Sequence, residues 1–91
     1  MFTVIVYDIQ ENRIRNRVSK TLERFGERVQ KSVFECDLSD SQLQRLKLQL
    51  NQIKFSEDDN IRFYYMEMSS VKRIETIGSD NPCINQEFYV A

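Results

Sequence analysis

Asp8 closes a run, Phe2 to Ile9, in which it is the one charged residue. A carboxylate at the end of an apolar stretch is costly unless it is hydrogen-bonded, paired or bound to a cation. Two readings follow from its position. Either Asp8 is a solvated or helix-capping residue at a strand-to-helix turn, or it is the ligand of a hard cation such as Mg²⁺. One carboxylate is too few for a divalent ion. Two copies of the chain about a two-fold axis, however, would bring both Asp8 side chains onto one Mg²⁺, with water and a substrate phosphate completing the shell. The sequence has no His, which excludes a His general base, the His-dependent nucleophile systems and imidazole zinc sites. Any chemistry runs on carboxylates, hydroxyls, water and a metal. Tyr7, next to Asp8, reads as a residue that hydrogen-bonds locally or simply packs, with packing the favoured role.

The second constellation is positive. From Gln10 to Phe34 there are seven basic residues, Arg13, Arg15, Arg17, Lys20, Arg24, Arg28 and Lys31, against three acidic ones, Glu11, Glu23 and Glu27. Arg13, Arg17, Lys20 and Arg24 step by four, three and four, so on a helix they form one stripe, suited to the phosphates of a nucleic acid. Arg15 flanks the apolar side of the same helix. Acid collects elsewhere, at Glu57, Asp58 and Asp59 and in the tail at Glu75, Asp80 and Glu87. The formal net charge is only −1, so the chain is polarised rather than basic. A solvated helix face would show the same stripe.

Ninety-one residues set the scale of one domain, at a size where about 60–65% of the unfolded surface is buried. With 2 Gly and 1 Pro, most of the chain must be helix or strand. Phe2 to Ile9, with β-branched Val4, Ile5 and Val6, reads as a central strand covered on both faces. From Asn12 the period changes: Ile14, Val18, Leu22 and Phe25 mark the buried face of a helix, and Gly26 is placed to end it in the left-handed conformation. Arg28 to Leu38 holds strand formers interrupted at Lys31 and Ser32, either one bulged strand or a tight hairpin. Ser39 with Gln42 is a capping box for a second helix with Leu43, Leu46, Leu50 and Ile53 on one face, leaving Leu48 outward as a candidate partner contact. Asn60 to Met68 alternates as a strand. Val71 to Ile77 is predicted as another after a turn at Ser69 and Ser70, Gly78 to Asn85 as a loop, and Glu87 to Val90 as a short final strand.

This order predicts an α+β fold, a ferredoxin-like βαββαβ sandwich with an additional C-terminal strand, as a single domain over residues 1–91. One sheet face would lack helices. Ile61, Phe63, Tyr65 and their neighbours then predict a homodimer, with the strand at about 86–91 exchanged onto an edge of the partner's sheet. Cys36 and Cys83 are 47 positions apart and read as free thiols of a reduced, cytoplasmic protein. The N-terminal run has no basic leader and carries an early carboxylate, which fits neither a signal peptide nor a membrane span.

Three blocks in order carry a resemblance: Val6-Tyr7-Asp8-Ile9, then Asn12-Arg13-Ile14-Arg15-Asn16-Arg17-Val18, then Gly26 followed by Arg28-Val29-Gln30-Lys31-Ser32-Val33-Phe34-Glu35-Cys36. Together with Ile77-Gly78 and Glu87-Phe88-Tyr89-Val90, they closely resemble the CRISPR-associated Cas-two family over essentially the whole chain. The resemblance implies a ferredoxin-like homodimer with Asp8 as metal ligand. It implies a Mg²⁺-dependent endonuclease acting on single-stranded RNA or duplex DNA, and a place in spacer acquisition as a scaffold that grips DNA for the Cas-one integrase. Asp8, Arg15, Arg17, Ser32 and Phe34 fall at the family's catalytic or near-site positions, and Arg13, Arg17, Lys20, Arg24 and Arg28 are the candidates for nucleic-acid contact. Two alternatives stand beside this reading: a non-catalytic DNA-holding adaptor, and a toxin ribonuclease like the VapD family, which shares the fold and the first-strand aspartate.

Overall fold

The computed structural model describes residues 1–78. The loop expected up to Asn85, the late strand expected at 86–91 and Cys83 lie outside the described residues. The elements run β1 (Phe2–Asp8), α1 (Asn12–Glu23), β2 (Glu27–Gln30), β3 (Val33–Asp37), α2 (Asp40–Asn51), β4 (Asn60–Met66) and a single turn α3 (Met68–Val71). The four strands make one antiparallel sheet in the order β2-β3-β1-β4, the ferredoxin-like arrangement expected from the sequence. β2 and β4 are its edges.

Alternation decides the faces. Ile5 and Tyr7 of β1, Phe34 and Cys36 of β3, and the half-buried Ile61 and Phe63 of β4 point to one side, where they meet Ile14, Val18 and Leu22 of α1 and Leu46 and Leu50 of α2. Ile5, Val18, Leu22, Phe34 and Leu46 are sealed from solvent, and burial of each such side chain contributes roughly 1.5–3 kcal/mol. The capping box forms as predicted: the Gln42 backbone N–H donates to Ser39 Oγ at 3.2 Å, and the Ser39 N–H donates to the Gln42 side chain at 2.9 Å. Leu48 stays exposed on the outer side of α2.

One alternative left open is resolved and three expectations need correction. Residues 28–38 form a hairpin, β2 and β3 joined through Lys31 and Ser32, with a register shift between Arg28 and Gln30; both devices left open by the sequence are present. Val71–Ile77 is no strand. The Ser69-Ser70 turn closes into α3, which delivers Val71 onto Phe2, where Val4, Met66 and Ile74 gather around it. This second cluster lies on the helix-free face of the sheet, so the chain covers part of that face itself. Ile61 and Phe63 are not the exposed residues; they pack towards the helices, with the Lys47 ammonium 5.7 Å above the Phe63 ring. Tyr64 on the open face and Tyr65 at the sheet edge are the aromatics that remain about half exposed, at 48% and 46%.

Gly26 is the third correction. Among the described residues only Gly78 has a positive φ, at 100°; α1 ends instead on a right-handed Arg24, with the Gly26 N–H donating to the Leu22 carbonyl at 3.0 Å. Glycine is required at 26 because a Cβ there would strike Cys36 Sγ and lie 2.5 Å from the Glu35 carbonyl. The same enclosure pushes the Cys36 thiol up to about 11, through desolvation first and the neighbouring Glu35 charge second. Gly26→Ala is therefore expected to lower stability by about 1–3 kcal/mol through overpacking, read as a lower urea midpoint; an unchanged midpoint would show that β3 yields freely at Cys36.

Candidate active site

β1 runs out at Asp8 with different neighbours on its two sides. Towards β4, Asp8 stands opposite Asn60, the last pair of that ladder. Towards β3, the register Val6 to Val33 carries on for one more step, the Tyr7 N–H donating to the Ser32 carbonyl at 3.1 Å. The buried Tyr7 ring also turns its hydroxyl outward, donating to the Lys31 carbonyl at 3.0 Å. Of the two roles open to Tyr7 from the sequence it takes both: it packs, and its hydrogen bond holds the hairpin turn beside Asp8.

The result is an open cleft of about 430 Å³ at the end of β1. Asp8, Asn12, Arg15, Asn16, Arg28, Lys31 and Ser32 supply its polar lining, and Asp8 is the single acid among three cations. The Asp8 carboxylate is exposed and has no hydrogen-bond or ion-pair partner among the described residues. The capping half of the simpler reading is thereby overturned, since α1 starts from Glu11 with no side-chain cap; the solvated half stands. A free carboxylate ringed by fixed positive charge suits a site that takes a cation and a phosphate together.

The cations are not equivalent. Arg15 donates to the Ile9 carbonyl at 3.1 Å and to Asn12 Oδ1, which ties it to the turn that carries Asp8. Arg28 donates to Ser19 Oγ, lies 3.7 Å from Glu23, and sits 5.6 Å above the Phe34 ring, opposite which it is paired across the hairpin. Lys31 is exposed and its ammonium has no partner among the described residues. Phe34 is sealed at 0% exposure beneath Arg28 and 6.3 Å from Tyr7. Packed against Tyr7 and Arg28, which do line the cleft, it offers no surface to a ligand, so its expected place among the catalytic residues is corrected to a supporting one.

Arg17 does not reach this cleft. It lines a separate groove with Lys20, Thr21, Arg24, Gln49 and Gln52, where α1 meets the end of α2, and Arg24 donates to the Gln49 side chain at 2.6 Å. Arg13, at the other end of the stripe, is bound to Glu11 at 3.1 Å. The structure thus splits the arginines into a group around Asp8 (Arg15, Arg28) and a stripe on the helix (Arg17, Lys20, Arg24). Lys31, Asn12 and Asn16 escaped the sequence reading. The asparagines stand four apart on α1 and so share a face, a signal that was present; Lys31 depended on knowing that residues 31–32 are a turn.

Residues 1–74 match the family described as CRISPR associated protein Cas2. The chain belongs to the Cas2 family. The CRISPR-associated endoribonuclease Cas2 1 of Chloroflexus aurantiacus is 40% identical to it over 92 residues, covering 99% of both chains. The crystal structure of Streptococcus pyogenes Cas2 superposes with a TM-score of 0.74 at 32% identity, over 86% of this chain and 100% of that one. A chain of a partial Cas6-RT-Cas1–Cas2 complex superposes with a TM-score of 0.74 at 32% identity, over 84% of this chain and 89% of that one. Membership of the Cas2 family sets aside the VapD-like alternative. The Cas2 match spans the whole Asp8 cleft and the basic stripe. Among the described residues there is no cluster of three or more His, Cys, Asp or Glu side chains around a metal position, and no helix is long and apolar enough to cross a membrane.

Tyr7→Phe isolates the hydroxyl's part in this arrangement. It keeps the ring under the cleft and deletes the bond to Lys31, which is expected to cost about 0.5–1.5 kcal/mol and to speed amide exchange in the 31–32 turn while leaving β1–β4 amides protected. Unaltered exchange at the turn would mean that the Tyr7 backbone bond alone holds it.

Proposed function

We propose that this chain is a Mg²⁺-dependent endonuclease of the CRISPR adaptation machinery that also holds DNA as a homodimer for the Cas-one integrase. The observation that carries the reading is Asp8: an exposed carboxylate at the end of a buried strand, without a partner among the described residues and facing Arg15, Arg28 and Lys31 across one cleft. The relative from Chloroflexus aurantiacus is named an endoribonuclease, and the partial complex contains Cas1 beside Cas2; both favour nucleic-acid chemistry in that setting. The substrate class is a phosphodiester of single-stranded RNA or duplex DNA.

A homodimer follows from two features. Among the described residues β4 is a sheet edge, available to the strand at about 86–91 of a second copy. Asp8 is also half of a metal site by itself, because one carboxylate cannot hold a divalent cation securely. The residue set fits the metal: a hard oxygen donor, solvent-open, without a competing internal cation bond. Mg²⁺ held by Asp8 of both chains would supply Lewis-acid polarisation of the phosphoryl group and a water of lowered pKa. Arg15 and Arg28, both tethered by their own hydrogen bonds, stand ready for the negative charge that grows on the phosphoryl oxygens. Lys31, untethered, can follow the strand, and Ser32 offers its hydroxyl to a phosphate oxygen.

Arg17, Lys20 and Arg24 bind phosphates away from the reacting group, and their position apart from Asp8 favours a second reading in parallel: the adaptor role needs only this stripe. The two roles are separable. Asp8→Asn, nearly isosteric, is expected to lower Mg²⁺-dependent cleavage by about 10² or more while duplex DNA binding and assembly with the integrase persist. Cleavage by wild type that ignores both chelator and Asp8→Asn would overturn the metal site. Reversing charge at Arg17 and Arg24 is expected to weaken duplex binding and flatten its salt dependence by about 0.9 log units per log unit of salt for each phosphate no longer neutralised, measured by fluorescence anisotropy at several salt concentrations. An unchanged slope would leave the stripe as a solvated face.

A further inference from the structure

The turn that links Asp8 to α1 is gripped from two sides. From within α1, Arg15 holds the Ile9 carbonyl at 3.1 Å. From the opposite side Asp59, which the sequence offers only as the third member of an acidic run, accepts the Gln10 backbone N–H on Oδ1 at 3.1 Å. We infer that Asp59 is a positioning residue for Asp8, clamping the β1–α1 turn so that the Asp8 carboxylate keeps a fixed direction; this rests on the reading of Asp8 as the metal-binding carboxylate.

Asp59 is itself held before it reaches Gln10. Its second oxygen accepts the Ser56 N–H at 2.8 Å, and its own N–H donates to the Ser56 carbonyl at 3.1 Å, so residues 56–59 close on themselves and leave Oδ1 to face outward. Its place in the sheet gives that bond its consequence. The β1–β4 ladder ends on the pair Asp8 and Asn60, and Asp59 comes immediately before Asn60. The carboxylate therefore adds one more cross-link just beyond the ladder, on the residue two past Asp8. Glu57 and Asp58, exposed, make no such bond among the described residues; Asp59 is half-buried. Asp59 does not line the Asp8 cleft but a different groove with Lys47, Phe55 and Phe63, so it acts through the backbone and not on a ligand. Two Asp8 side chains that must meet on one ion tolerate little freedom, since misplacement of about 1 Å can cost 10²-fold in rate.

The test uses the full-length protein, Asp59→Ala and Asp59→Asn, with single-stranded RNA as substrate and Mg²⁺ as the varied ion. Asp59→Ala is expected to accelerate exchange of the Gln10 amide by about 10-fold or more, as for a local opening, while the Ile5 amide stays protected. The Mg²⁺ concentration for half-maximal cleavage should rise about 10-fold and kcat should fall, with KM for RNA unchanged because the Arg17 stripe is untouched. Asp59→Asn keeps one acceptor oxygen and should restore part of each effect. Wild-type Gln10 exchange and Mg²⁺ requirement in Asp59→Ala would overturn the inference, as would changes that appear only alongside general loss of core protection. Should wild type cleave neither RNA nor DNA, the nuclease reading alone fails; the clamp is then decided by Gln10 exchange and by the ¹³C resonance of the Asp8 carboxyl, which moves in Asp59→Ala if the clamp orients it and overturns the inference if it does not.

Discussion

Tyr7 fixes which residues surround Asp8. Its N–H extends the β1–β3 ladder to Ser32 and its hydroxyl reaches Lys31, so the hairpin turn is set against the end of β1 by two bonds from one buried residue. A slip of one residue would send Tyr7 to the opposite sheet face and take its ring out of the core. The register is therefore enforced by the same side chain that makes the site. Phe34 beneath it has the same double use, packed against Tyr7 on one side and carrying the Arg28 guanidinium on the other. The core and the cleft share a wall.

Helical geometry then sorts the positive charges. Arg15 is two residues from both Arg13 and Arg17, about 200° around the helix at 100° per residue, and it points to the Asp8 turn while Arg17, Lys20 and Arg24 look out along α1. A single helix thereby borders the Asp8 cleft and carries a basic stripe that lies apart from it. Three cations about one acid leave the Asp8 cleft positive, which favours a polyanion. The near-neutral total charge hides this arrangement completely.

Much of it was legible beforehand for physical reasons. A change from strand to helix period at Asn12, and a serine with Gln42 three places on, are local signals, and α1, α2 and the ladder of β1 follow them. Asp8 stood out because a lone charge in an apolar run is unusual. What was hidden depended on pairs far apart in sequence. Gly26 looked like a helix stop, but its reason is Cys36, ten residues on in another strand. Val71 looked like the start of a strand because β-branched residues recur after the Ser69-Ser70 pair; its burial against Phe2 in a helical turn is tertiary. Phe34 sat in a motif with functional neighbours, and only burial shows that it supports them. Asp59 looked like its exposed neighbours, and a bond across 49 positions sets it apart.

In the proposed function Asp8 is half of a cation site that two chains complete. Calorimetric titration of the full-length protein with Mg²⁺ alone, without nucleic acid, addresses this most directly, since it needs neither substrate nor activity. The predicted result is about one ion for every two chains, abolished by Asp8→Asn and retained when Glu57 and Asp58 are changed to their amides. Binding that survives Asp8→Asn, or that saturates at one ion per chain, would contradict it.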